Sequence, residues 1–132
     1  VGLTGNDVWH RTRGRRSRIK TQLLSQRLIA GVGNIYADEA LFLAQINPAV
    51  RSISRCQAQR LLDSVRTVFS EAIERGGTTL RDYRNLEGEG SNQHHLKCYG
   101  RAGESCVVCG STLRLRVIDA RSTTWCPQCQ PR

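Results

Sequence analysis

Four cysteines constrain this chain more than any other feature, standing as Cys106-x2-Cys109-x16-Cys126-x2-Cys129. A Cys-x-x-Cys turn brings two thiolates to one side of the backbone, and two such turns complete a tetrahedron around one zinc ion. Two disulfides or an iron centre could use the same residues. The basic profile and the lack of a secretory signal pattern point to an intracellular, reducing setting, which disfavours the disulfides. Four protein thiolates leave no open coordination position, so the expected zinc is structural and not catalytic. Cys56 and Cys98 have no partner at this spacing and read as buried or incidental thiols.

The segment between the two cysteine pairs supplies the frame for such a site. "STLRLRVI" alternates strictly, with Leu113, Leu115 and Val117 on one face and Arg114 and Arg116 on the other. Asp119-Ala120-Arg121 is the expected hairpin tip, and "STTW" the returning strand. The rest of the chain reads as helical. Ser17–Leu28 carries Ile19, Leu23, Leu24 and Leu28 at helical spacing; a second helix runs from about Asn34 to Gln45, and Pro48 stops it or closes the loop after it. The third helix starts at Ser54 as N-cap and shows one apolar stripe: Leu61, Leu62, Val65, Val68, Phe69, Ala72 and Ile73. Gly76-Gly77 is its expected C-cap, "TTLRDY" a short helix after it, and "NLEGEGSNQHH" a loop. The expected fold is mainly α with a small β-hairpin zinc finger. Its parts are a linker or basic arm over 1–14, a helical domain over 15–90 and the zinc hairpin over 91–132. With 39% hydrophobic and 5% aromatic residues the core is thin, and a metal staple suits it.

The charge is strongly one-sided, with Lys+Arg 20 against Asp+Glu 11 and a net +9. Residues 1–20 alone hold six basic residues and one Asp. Such a cluster suits a polyanionic partner, a solubility tail being the competing reading. No apolar run reaches membrane-spanning length, so no membrane partner is expected. The chain starts at Val1 and contains no Met, so the natural start is expected upstream.

"GVGNIYADEALF" at 31–42 resembles a nucleotide loop only superficially. A dinucleotide fingerprint needs a preceding strand and a third small residue, but the preceding segment is helical and Tyr36 occupies that place. A phosphate-binding Walker loop needs a Gly-Lys-Ser/Thr that is absent. What remains is a tight turn between two helices. Either Gly31 and Gly33 merely let the helices pack, or they clear space for an anion at a helix start, with Asn34 as a neutral donor. Lys20 and the arginines upstream favour phosphate, and a nucleic-acid backbone supplies phosphates in register.

Four stretches together, "LLSQRLIAGVGNIYADEALF", "GGTTLRDY", "YGRAGESCVVCG" and "RSTTWCPQCQ", resemble the C-terminal half of the Fpg/Nei DNA glycosylases, closest to the formamidopyrimidine branch. The likeness spans about residues 15–130. It implies a helix–two-turns–helix bundle followed by a zinc finger, one Zn2+, and double-stranded DNA, damaged or abasic, as partner of a monomer. It implies that Asn34 contacts phosphates near the lesion, with Gly31 and Gly33 in the same turn. Arg121 at the hairpin tip would clamp phosphates across it, and Lys20 would lie near the damaged site. It implies an intracellular, nucleoid-associated place in a bacterial cell.

In that family the chemistry belongs to the N-terminal half, where a first-residue proline amine attacks the sugar. Nothing in this chain matches that proline or its glutamate. Lys97 is a primary amine with nothing that marks it as activated. The loop at 86–95 lies where the formamidopyrimidine branch carries a lesion-capping loop, without the expected aromatic pair; His94 and His95 there read as a solvated pair. The leading expectation is therefore a DNA-binding module of base excision repair without catalytic residues of its own. A fragment of an active glycosylase/lyase is the alternative, and a protein- or RNA-interaction zinc module a third.

Overall fold

The computed structural model describes residues 2–74 and 96–132. The expected cap at Gly76-Gly77, the short helix at 78–83 and the loop at 86–95, with His94 and His95, lie outside the described residues. The described elements are α1 (Gly5–Thr12), α2 (Ile19–Leu24), α3 (Asn34–Ala44), α4 (Arg55–Glu74), β1 (Arg114–Ile118) and β2 (Arg121–Trp125).

The first correction concerns residues 1–14, which are not a linker: α1 occupies most of them. Thr4 and Asp7 form a reciprocal capping box that starts the helix. Gly5 then lets α1 lie directly on α4, because a Cβ there would come within 2.8 Å of the Gln59 Cα. Val8 is buried against the core, while the Arg13 and Arg55 guanidiniums each lie over the Trp9 ring, at 4.8 and 4.2 Å from its centre. The arginines that read as an arm are thus partly the polar face of a helix.

The helix expected over Ser17–Leu28 is shorter, since α2 ends at Leu24 and Gln26 takes a left-handed φ of 69°. The Gln26 amide then holds the connection to α3 from both sides: Gly31 N–H donates to its Oε1 at 2.5 Å, and its Nε2 donates to Val32 O at 2.9 Å. The expected start of α3 holds to the residue. Its end comes at Gln45, left-handed at φ 60°, where the Ile46 N–H returns to Leu41 O. Pro48 closes the loop that follows, and its carbonyl receives the Lys20 N–H at the start of α2. Ser54 does cap α4, through a reciprocal pair with Gln57.

Helix α4 is the platform on which α1 and α3 pack. Leu61, Leu62 and Val65 of its stripe are buried against Val8, Ala37, Ala40 and Leu41, each contributing about 1.5–3 kcal/mol. Val68 and Phe69 pack at the margin, and Ile73, expected inside, is 75% exposed. A second, smaller core joins Phe42 of α3 to Cys98, Cys106, Leu113 and Cys126.

The hairpin is antiparallel, with Ile118 opposite Arg121 and Arg114 opposite Trp125. Asp119 and Ala120 form its two-residue turn, both at positive φ, as a type I′ turn requires. The apolar face expected of β1 is not buried as a whole: Leu113 is, but Leu115 and Val117 are 59% and 69% exposed. The hairpin meets the helices along β2, which leaves that face of β1 outward.

Between helices and hairpin runs a buried polar seam. Glu39 of α3 accepts three consecutive backbone N–H groups, from Lys97 at 2.8 Å and from Cys98 and Tyr99 at 2.7 Å each. Gln130 accepts the Cys126 N–H and donates to Ile46 O, while Asn47 donates to Gln130 O. The Cys98 thiol donates to Thr124 O at 2.9 Å, and burial pushes its pKa up, so it stays protonated. Replacing Glu39 with Ala leaves three N–H groups at a buried site without their acceptor. That variant should lose about 3 kcal/mol in urea unfolding.

Candidate nucleic-acid interface and metal centre

The Gly31–Asn34 turn and the hairpin tip face each other across an open concavity of about 400 Å3, lined by Gly31, Gly33, Asn34, Ile35, Tyr36, Tyr99 and Arg121. No carboxylate is among these lining residues. Four of the five residues expected to touch DNA therefore share one surface.

Each lining residue has a distinct local cause. Gly31 sits at φ +90°, a conformation other residues adopt only with strain, and is required by the turn. Gly33 is the N-cap of α3 at an ordinary φ of −93°, and a Cβ there would meet nothing within 4 Å. Its lack of a side chain leaves clearance over the groove. Gly33 also brings no capping side chain, so the positive end of the α3 dipole opens toward the concavity. The Asn34 Nδ2 donates to Ser122 O at 3.3 Å, which leaves its Oδ1 without a partner. Arg121 is exposed at the start of β2.

Lys20 is placed otherwise. It is 0% exposed and lies behind the groove wall, where its Nζ meets Asp38 Oδ1 at 2.8 Å, Ser122 O at 2.7 Å and Thr123 Oγ1 at 2.8 Å. Burial lowers the pKa of Lys20, and the Asp38 charge opposes that shift. Burial pushes the Asp38 carboxyl up to about 6, against the pull of Lys20 and of the Thr124 N–H. Tyr99 is a lining residue that sequence reasoning did not single out; its place two residues after Lys97, in the stretch gripped by Glu39, puts it there. Asp38 and Glu39 were missed as well, because adjacent acids on a basic chain read as ordinary surface.

The cysteine cluster passes the test for zinc. All four Sγ atoms lie within 4.8 Å of one another. Two of the pairs, Cys109–Cys126 at 3.4 Å and Cys106–Cys129 at 3.9 Å, bracket the roughly 3.8 Å edge of a tetrahedron with about 2.3 Å zinc–sulfur bonds. They are too far apart for disulfides, whose bond is about 2.05 Å. The Val108 and Cys129 N–H groups donate to Cys106 Sγ and Cys126 Sγ at 3.4 Å. Bonds from Ser111 hold the Cys109 thiol down to about 6, whereas burial pushes Cys126 and Cys129 up. A zinc ion held by the four thiols would favour their thiolate forms.

Comparison with known proteins agrees with both halves. Residues 3–84 match the family described as "Formamidopyrimidine-DNA glycosylase H2TH domain", and residues 103–132 match "Zinc finger found in FPG and IleRS". The chain is similar to formamidopyrimidine-DNA glycosylases of Thermomicrobium roseum, at 52% identity over 94% of this chain and 44% of that protein, and of Bacillus cereus, at 43% over 98% and 48%. It thus spans about half the length of the curated relatives it matches. Among solved structures it is similar to MutM (Fpg) of Thermus thermophilus, with TM-score 0.82, 38% identity, and 97% and 50% of the two chains covered. It is also similar to Lactococcus lactis Fpg in complex with DNA containing an abasic site, with TM-score 0.87, 35% identity, and 98% and 49% covered.

Two outcomes follow from this geometry. A strong chelator should release one zinc per chain and speed amide exchange in β1 and β2, while α4 retains its protection. In a carboxyl NMR titration Asp38 should show a midpoint near 6. That value lies above 3.8, so the folded chain holds a proton that the unfolded chain releases. The contribution favours folding fully below about pH 4 and is lost as the pH rises through about 6.

Proposed function

The chain belongs to the formamidopyrimidine-DNA glycosylase family, and from that membership we propose that it is the DNA-gripping part of a base-excision repair protein, with its structural zinc finger as one jaw. The observation that carries this reading is the shared groove: the open α3 start and Asn34 on one wall, the exposed Arg121 guanidinium on the other. A helix start and a guanidinium facing across a cleft with no carboxylate among its described lining residues suit successive phosphates of one strand. The described lining residues offer groups suited to phosphates, so in this reading affinity comes from the backbone, with preference for duplexes that kink easily, as at an abasic or damaged site. Similarity to an Fpg bound to abasic-site DNA supports that choice of partner.

Base removal in this reading falls to residues beyond these 132. The match to about half of each longer relative favours that division of labour over a free-standing binding module. The place of action is where the chromosome is, the bacterial nucleoid.

Fluorescence anisotropy on a short duplex with a central abasic-site analogue tests the grip. Binding should weaken steeply with salt, and Asn34→Ala/Arg121→Ala should lower affinity by at least about ten-fold and reduce the salt slope by about one phosphate. Unchanged affinity in the double variant would remove the groove as the site. Gly33→Ala should fold normally yet bind more weakly, because the new methyl fills the clearance and nothing else.

A further inference from the structure

The residue that best fits the part of a phosphate ligand by sequence has no surface to offer one. An ammonium has three protons. Lys20 donates two to Ser122 O and Thr123 Oγ1 and pairs its charge with Asp38 Oδ1, all within 2.8 Å. Two of these partners belong to the residues directly after Arg121. Asp38, paired with Lys20, takes the Thr124 N–H at 3.1 Å through its other oxygen. Strand β2 is therefore held at 122, 123 and 124 in succession, by one ion pair 0% and 1% exposed. The turn before it is tied as well, since Thr21 Oγ1 donates to the Asp119 carboxylate. The Ser122 carbonyl also receives the Asn34 amide, so Lys20 and Asn34 converge on a single oxygen next to Arg121.

We infer that Lys20 and Asp38 are positioning residues of the groove: their buried pair fixes β2 so that Arg121 stands across from Asn34, and Lys20 itself touches no phosphate. This rests on the DNA-binding reading above and adds to it a division of roles among the basic residues. Lys20 supports the wall; Arg121 is the group that meets the anion. A buried pair of this kind is a better device for registry than for stability, because each charge gives up its water to hold the other.

The test is a double-variant cycle on the zinc-loaded 132-residue chain, titrated against the abasic-site duplex across a salt series. Lys20→Met should weaken binding about as much as Arg121→Ala, roughly ten-fold, because it acts through Arg121. Lys20→Met/Arg121→Ala should then bind within about two-fold of Arg121→Ala alone, with the same salt slope. If the two losses multiply and the slope falls by about one further phosphate, Lys20 is itself a ligand and the inference is overturned. Wild-type affinity in Lys20→Met overturns it equally.

Should Lys20→Met fail to melt cooperatively or to hold one zinc, two variants replace it under the same additivity criterion. Lys20→Met/Asp38→Leu leaves no lone buried charge, and Thr123→Val removes one Lys20 partner while keeping the pair. A DNA-free readout separates this inference from the reading beneath it. In the Lys20 variant the nuclear Overhauser contact between the Asn34 side-chain amide and Ser122 should disappear, with zinc retained. Its persistence overturns the positioning role even if the wild-type chain binds DNA. Failure of the wild-type chain to bind duplex at low salt sinks only the DNA reading.

Discussion

Two adjacent carboxylates on α3 hold this structure together. Successive residues on a helix point about 100° apart, so Asp38 and Glu39 serve two different neighbours. Asp38 looks toward β2 and its lysine, while Glu39 gathers the backbone of 97–99. Burial raises the pKa of both groups, and each is compensated in its own way, one by a cation and the other by three N–H dipoles. Asp38 ties α3 to the hairpin and Glu39 ties it to the segment that leads into the cysteine cluster, so the helical core and the metal module are joined at two places. Among the described residues the apolar contribution at this junction is small, since Phe42 is the one α3 side chain in the cysteine cluster. Polar geometry, which is directional, decides how the two parts sit.

Zinc completes what the carboxylates begin. The hairpin has only two strands, too few to be stable alone in water. Its far end is closed by four thiolates and its near end by Lys20, Asp38 and Thr21. Arg121 lies at the near end, beside a two-residue turn with no slack. An exposed arginine usually loses most of its binding advantage to side-chain entropy; here at least its backbone is fixed in advance.

The parts legible in the sequence were those with a period or a spacing. The thiolate spacing gave the metal site, and the apolar stripe gave α4 within the described residues. The start of α3 followed from the Gly-x-Gly-Asn turn. Asn34 came from its place as a donor at a helix start and the phosphate-clamping role of Arg121 from family resemblance; neither came from any periodicity, since a single exposed donor leaves no pattern. Helix α1 was hidden because eight polar-rich residues carry only one buried apolar side chain of size, Val8, and its packing depends on a glycine. The burial of Lys20 was hidden for a deeper reason: a lysine in a basic run looks solvated, and only the fold shows that an aspartate eighteen positions on lies beside it. Glu39 acts through backbone groups far from it in the chain, and a sequence carries no mark of that.

The fit of α3 to β2 works as a vernier. Asn34 and Asp38 are one helical repeat apart, about 6 Å along the axis. Ser122 and Thr124, the residues they bond, are one strand repeat apart, about 6.7 Å. The two scales nearly coincide over this single interval and drift apart beyond it. A residue inserted or deleted between Ser122 and Thr124 would therefore find no second setting in which both bonds re-form. The connection between the two anchor points has one permitted length.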